Sequence, residues 1–169
     1  MTMPIVVFSH GQESGPWGSK ITAMADAVRA IGCRAESIDY QGMADPVARV
    51  KKLIAACADI DGPIILVGSS MGGHVATAAA PTVNAIGLFV LAPAYYMEGF
   101  EGLTPSSPEI PTVIVHGWHD DIVPVDNSIR FARDGAATLH IVDGDHRLTN
   151  NIDDINQYLT NFINRLIVS

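Results

Sequence analysis

The chain has 169 residues, with 18 acidic against 10 basic side chains and a formal net charge of −8. A field of that sign repels polyanions, which argues against nucleic acid or an anionic membrane surface as partner. Hydrophobic residues at 48% and charged residues at 17% exclude a disordered chain.

A domain of this length can bury about 70% of its unfolded surface, so one domain spanning residues 1–169 is expected. The opening run MTMPIVVFSHG carries no basic leader, and no apolar stretch approaches the ~20 residues of a membrane span. The chain therefore reads as a soluble, cytoplasmic protein.

In chain order, strands are predicted at Ile5 to Ser9, Glu36 to Tyr40, Ile64 to Gly68, Ile86 to Leu91, Thr112 to His116 and Leu139 to Val142. Helices are predicted between and after them at Gly18 to Ile31, Pro46 to Ala58, Met71 to Ala80, Asn127 to Arg133 and Asp153 to Ile167. Pro46 suits a first helical turn and Pro81 stops the third helix. Several strands are apolar throughout, as strands covered on both faces are. The βαβα rhythm predicts a three-layer α/β/α sandwich around a mostly parallel sheet of about six strands, with right-handed crossovers. Cys33 and Cys57 lie in or beside helices with no metal or CxxC spacing, and read as buried structural thiols in preference to a disulfide or a reactive cysteine.

One connection differs from the rest. Ala92 to Ile110, APAYYMEGFEGLTPSSPEI, combines aromatics, glycines and three prolines with weak periodicity, and leaves the carboxyl end of a strand, where open α/β sheets gather ligands. Tyr95, Tyr96, Met97, Phe100 and Leu103 either pack this loop onto the core or wall an apolar substrate pocket. Trp17 and Trp118 carry the same two readings.

The segment LVGSSMGGHVA lies between a buried strand and a helix. It lacks the GxGxxG and GxxxxGK[ST] spacings of phosphate loops, and no lysine or arginine stands in the turn. It does fit Gly-x-Ser-x-Gly as Gly68, Ser69, Ser70, Met71 and Gly72, the strand-turn-helix mount of a nucleophilic serine. Ser69 is the poorer candidate, because Val67 stands where its motif would need glycine. A serine hydroxyl needs a base, and the base an orienting carboxylate. Candidates for both follow downstream, in HGWHDDIVP (His116 to Pro124) and DGDHRL (Asp143 to Leu148).

With these strings the sequence resembles the α/β-hydrolase superfamily. HGxxDxxVP is similar to the superfamily's acid loop and puts Asp120, not Asp121, in the acid position; the matching histidine is His146. FSHGQESGPWG after the first strand resembles its oxyanion loop, which implies that the backbone N–H groups of Gln12 and Met71 receive a developing oxyanion. The superfamily's early strands and large cap have no counterpart, so the resemblance implies a minimal, core-only fold with strand order 2-1-3-4-5-6. Glu36 to Tyr40 and Leu139 to Val142 would be the edges, and a monomer or weak homodimer is expected, since edges invite pairing that Glu36 and Asp39 oppose.

Other polar residues receive structural readings. His10, His74 and His116 are expected as hydrogen-bonded structural histidines, His140 as a surface or edge residue, and Arg49, Lys51 and Lys52 as a solvated helix face. His116, His119, Asp120 and Asp121 match no zinc spacing, so no metal is expected. The resulting expectation is a serine hydrolase of small to medium esters or thioesters with no cofactor. A non-catalytic binding or scaffold protein and an acyltransferase using an acceptor other than water are the rivals.

Overall fold

The computed structural model describes residues 2–168. Its sheet has six strands, all parallel, in the order β2-β1-β3-β4-β5-β6: β1 (Ile5–Ser9), β2 (Arg34–Ile38), β3 (Ile64–Ser69), β4 (Gly87–Leu91), β5 (Thr112–Gly117) and β6 (Thr138–Val142). The helices are α1 (Ser19–Ala30), α2 (Pro46–Ala58), α3 (Met71–Ala79), α4 (Val125–Gly135) and α5 (Ile152–Ile167).

Strand alternation sends side chains to two cores. Ile5, Val7, Leu66, Leu88, Val90 and Ile114 meet Leu53 and Cys57 of α2, Val75, Ala76 and Ala79 of α3, and Phe131 of α4. Val6, Phe8, Ile65, Val67, Phe89 and Val113 meet Ile21, Met24 and Val28 of α1 and Leu159 and Phe162 of α5. Strands covered on both faces explain the uninterrupted apolar runs of β1, β3, β4 and β5. The edges β2 and β6 are only partly covered. On β6, His140 is half-buried and stacks on Tyr158 with ring centres 3.9 Å apart. Both cysteines are buried and free.

The second strand lies two residues earlier than its composition suggests. The ladder pairs Ile5 with Arg34 and ends at Ser9 opposite Ile38, so Asp39 and Tyr40 lie past it. Tyr40 turns inward instead. Its N–H donates to His10 Nε2 at 2.8 Å, and its hydroxyl bonds Ser9 Oγ at 3.0 Å. Burial pushes that phenol up to about 12.

Arg49 is not on a solvated face: it is 2% exposed, whereas Lys51 and Lys52 are exposed. It shares the buried stripe of α2 with Leu53 and Cys57, which aims its side chain at the sheet. The β4–β5 connection is a crossover with one short 3₁₀ turn, Glu101–Leu103, where the other crossovers have longer helices.

Candidate active site

Every candidate residue stands beyond the carboxyl ends of β1, β3, β4, β5 and β6. The turn from β3 to α3 places Ser70 at φ 54°, ψ −118°, in the left-handed half of backbone space, at a cost of about 1–3 kcal/mol. Glycines make so sharp a turn possible. A Cβ on Gly68 would lie 2.3 Å from Gly72 O, and one on Gly72 would lie 1.9 Å from Ser9 O. Bare backbones thus let α3 meet the ends of β3 and β1. Met71 N–H, at the first position of α3, is among the helix donors left without an intrahelical acceptor, at the positive end of the dipole.

Ser70 Oγ lies 3.1 Å from His146 Nε2, and His146 Nδ1 lies 2.7 Å from Asp120 Oδ2. Asp120 can only accept there, so Nδ1 carries the proton and Nε2 presents its lone pair to the serine hydroxyl. The other carboxylate oxygen, Oδ1, accepts from Ile122 N at 2.9 Å and Val123 N at 2.8 Å. Asp121, its neighbour, is exposed and makes none of these contacts. Asp145 fastens the histidine loop in a similar way, accepting from Arg147 N at 3.1 Å and Leu148 N at 3.0 Å.

His116 supports the acid from below. Its Nε2–H faces Val123 O at 2.9 Å and Asp120 Oδ2 at 3.1 Å, while Nδ1 accepts from Ser128 at 2.6 Å. Burial lowers its pKa, which keeps the ring neutral. His10 is also held neutral: burial lowers its pKa, Nδ1–H donates to Gly11 O at 2.7 Å and Nε2 accepts from Tyr40. Asp39 lies 3.9 Å from that nitrogen, which is already occupied as an acceptor and holds no proton for an ion pair. His74 is half-buried, and burial lowers its pKa as well.

Gly11 packs against the elbow, its Cβ position 3.6 Å from Ser70 Cβ. Gln12 follows it, exposed, with Met71 half-buried across the turn. Two groups that the sequence did not assign to the site surround this region. Arg49 donates to Met43 O at 2.7 Å, His10 O at 3.1 Å and Gly11 O at 3.3 Å, and lies over the Tyr40 ring at 4.9 Å. Its signal was present, since Arg49, Leu53 and Cys57 repeat at one helical spacing. Lys20 of α1 reaches Ser69 Oγ at 3.4 Å; burial lowers its pKa while Asp145 opposes that shift.

The loop aromatics divide. Tyr95 is not a pocket wall: it is fully buried, bonded to Thr77 Oγ1 at 2.6 Å and stacked on Phe131 at 3.9 Å. Apolar burial raises its phenol pKa. Tyr96 is half-buried under Arg130, whose guanidinium lies 3.9 Å above its ring, and Met97 is half-buried. Phe100, Leu103 and Trp118 stand out at 65%, 56% and 57% exposure. The loop begins beside the elbow, with Ala94 N on Ser70 O at 3.0 Å. A hollow of about 350 Å³ opens at the opposite end of the sheet, between Pro81, Asn84 and Pro108 to Ile110, and involves none of the candidate residues. No group of three or more potential metal ligands occurs among the described residues, nor any helix long and apolar enough to cross a membrane.

Residues 6–149 match the family model of the alpha/beta hydrolase family. The structure is similar to that of an alpha/beta-superfamily protein from Xanthomonas campestris pv. campestris, with TM-score 0.88, 27% identity and all of both chains covered. It is also similar to Est1E from Butyrivibrio proteoclasticus, with TM-score 0.86, 18% identity and coverage of 99% of this chain and 89% of that one. A third similar structure, XC6422 from Xanthomonas campestris, is described as an a/b serine hydrolase without lid; it has TM-score 0.76 and 20% identity, covering 97% of this chain and 84% of that one. No curated protein matches the chain. A family match from the first strand through the histidine loop, on a six-stranded parallel sheet of this order, places the chain in the alpha/beta hydrolase family.

Proposed function

We propose that the protein is a serine hydrolase cleaving carboxylic esters or thioesters of small to medium size. The hydrogen-bonded chain Ser70–His146–Asp120, mounted on a strained strand-to-helix turn, is the observation that carries this reading. As Ser70 Oγ bonds to the acyl carbon, His146 Nε2 takes its proton and the carbonyl π pair moves onto oxygen. The N–H groups of Gln12 and Met71 receive that oxyanion, and Asp120 holds the imidazolium. On collapse the bond to the leaving oxygen or sulfur breaks, and that atom takes the proton from His146. Water then attacks the acyl-enzyme by the same route, and Ser70 is released with a carboxylic acid. No cofactor enters the cycle.

With Phe100, Leu103 and Trp118 turned outward, the site is read as open and tolerant of short acyl groups. The test is labelling by a fluorophosphonate probe, followed by turnover of p-nitrophenyl esters and acyl thioesters of graded chain length. Labelling and turnover are expected in the wild type and not in Ser70→Ala; a folded Ser70→Ala protein that retains activity would overturn the reading.

A further inference from the structure

We propose that Arg49 is a positioning residue for the oxyanion peptide, a buried guanidinium that grips the carbonyls behind the β1 loop and so aims and polarises the Gln12 N–H. The inference rests on the serine-hydrolase reading and extends it to a side chain that never touches substrate.

A buried charge is costly unless it is paired, and buried arginines are usually found against carboxylates. Arg49 is 2% exposed, and no ion pair among the described residues includes it. Its hydrogen-bonding partners are the backbone carbonyls of Met43, His10 and Gly11, with the face of Tyr40 beside it. Two of those carbonyls belong to consecutive residues of the loop that precedes Gln12.

Peptide geometry gives this arrangement a direction. The Gly11 carbonyl and the Gln12 N–H belong to one peptide unit, and none of the described peptides is cis. In a trans peptide the C=O and N–H point opposite ways. Gly11 O is held on the α2 side by Arg49 at 3.3 Å and by His10 Nδ1 at 2.7 Å, so the Gln12 N–H points away from α2. The same unit packs against the elbow through Gly11. A cation bonded to the carbonyl also draws electron density along the amide, which makes the N–H a stronger donor. The ring of His10 is neutral, so the positive charge at this carbonyl comes from Arg49.

Because the effect grows as negative charge develops on the reacting oxygen, it belongs to the transition state and should appear in kcat with little change in KM. Arg49→Met removes the charge and keeps an apolar stem; Arg49→Lys keeps the charge on a single-point donor. Arg49→Met is expected to lower kcat by about tenfold, less than the 10²–10³ of losing an oxyanion donor outright. It should weaken a phenylboronic acid, which forms a tetrahedral anion on Ser70, by a similar factor. Arg49→Lys should fall between the two proteins. A residue that merely stabilises the fold would lower the melting temperature and leave both ratios unchanged below it.

A measurement on the wild type keeps the inference open to refutation if Arg49→Met does not fold. Boronate addition should shift the Gln12 amide proton and the Arg49 Nη1 protons together in NMR spectra, because the Gly11 carbonyl links the loop to that end of the guanidinium. An Arg49 resonance that ignores the adduct, or a folded Arg49→Met protein with unchanged kcat and boronate affinity, overturns the role. Wild-type turnover that depends on Ser70 is measured first. Its absence would remove the hydrolase reading, whereas its presence beside an indifferent Arg49 variant removes only this inference.

Discussion

The β1 loop and the β3–α3 turn meet through bare backbone at Gly72 and Gly11, and Arg49, His10 and Tyr40 tie the β1 loop to the residues that follow β2. The β4–β5 crossover is built in the opposite way. It is anchored at its start by Tyr95 and Ala94, then turns Phe100 and Leu103 into solvent. Proton transfer needs reacting atoms held to fractions of an ångström, and the first region supplies that rigidity. The second can vary in sequence without disturbing it. On the proposed reading, chemistry and substrate choice would be carried by two parts of one rim with different tolerance to change.

The largest test of that contrast is in the two side chains linked to Ser70 of the rigid part. His146→Ala should lower kcat by roughly 10⁶, and Asp120→Asn by about 10⁴ through the wrong imidazole tautomer, measured on the best ester found. Asp121→Asn, whose side chain faces solvent, should keep most activity. Equal losses for the two asparagine variants would mean that Asp120 does not hold His146 as the distances indicate.

Glycine-to-alanine changes probe the backbone contacts. Gly72→Ala places a methyl 1.9 Å from Ser9 O and 2.5 Å from His10 O. It should cost about 3 kcal/mol or more in urea melts, since backbone has nowhere to yield. In the crossover, Gly102 has nothing within 4 Å of a Cβ, and Gly102→Ala should stay within about 0.5 kcal/mol. Similar costs at both sites would erase the distinction between the regions.

Acid sharpens it. Burial holds His10, His74, His116 and His140 below the ordinary value of 6.5. In the unfolded chain these rings take up protons near 6.5, while the folded ones resist until lower pH, so the unfolded state binds more protons in that window. Stability is therefore fully present above about 6.5 and falls as pH drops towards the depressed folded values. Thermal melts from pH 7.5 to 5.5 should show a declining midpoint. Hydrogen exchange of the Tyr40 N–H, bonded to His10, should accelerate over the same range. The smallest effect belongs to the crossover: Phe100→Ser and Leu103→Ser should alter chain-length preference by about tenfold or less and leave melting nearly unchanged.

Strand positions and the elbow were legible because their signals are local, apolar runs of strand length and glycines at fixed offsets from Ser70, whereas the strand order came only through the resemblance to the superfamily. The strings holding Asp120 and His146 were legible for the same reason. Tyr95 was not, because its role depends on Thr77 and Phe131, which the fold brings from α3 and α4. Arg49 was misread as solvated because its charge outweighed its place on an apolar stripe that only the packing of α2 against the sheet makes decisive. The two-residue shift of β2 came from Tyr40, whose apolar character suggested a strand and whose partners are Ser9, on the last rung of the ladder, and His10 just past it.

The crossover is fixed at both ends, by Tyr95 beneath the elbow and by the entry into β5 at Thr112, with Asn127 of α4 bonding Tyr95 O at 2.9 Å. Closing a longer loop between fixed ends costs little chain entropy, about 0.6 kcal/mol for each doubling of length. Residues added around Phe100 to Leu103 would leave both anchors in place. The molecule therefore has a site of insertion at which a covering segment could be grown over Ser70 in steps, each one changing what enters while the folding free energy hardly moves.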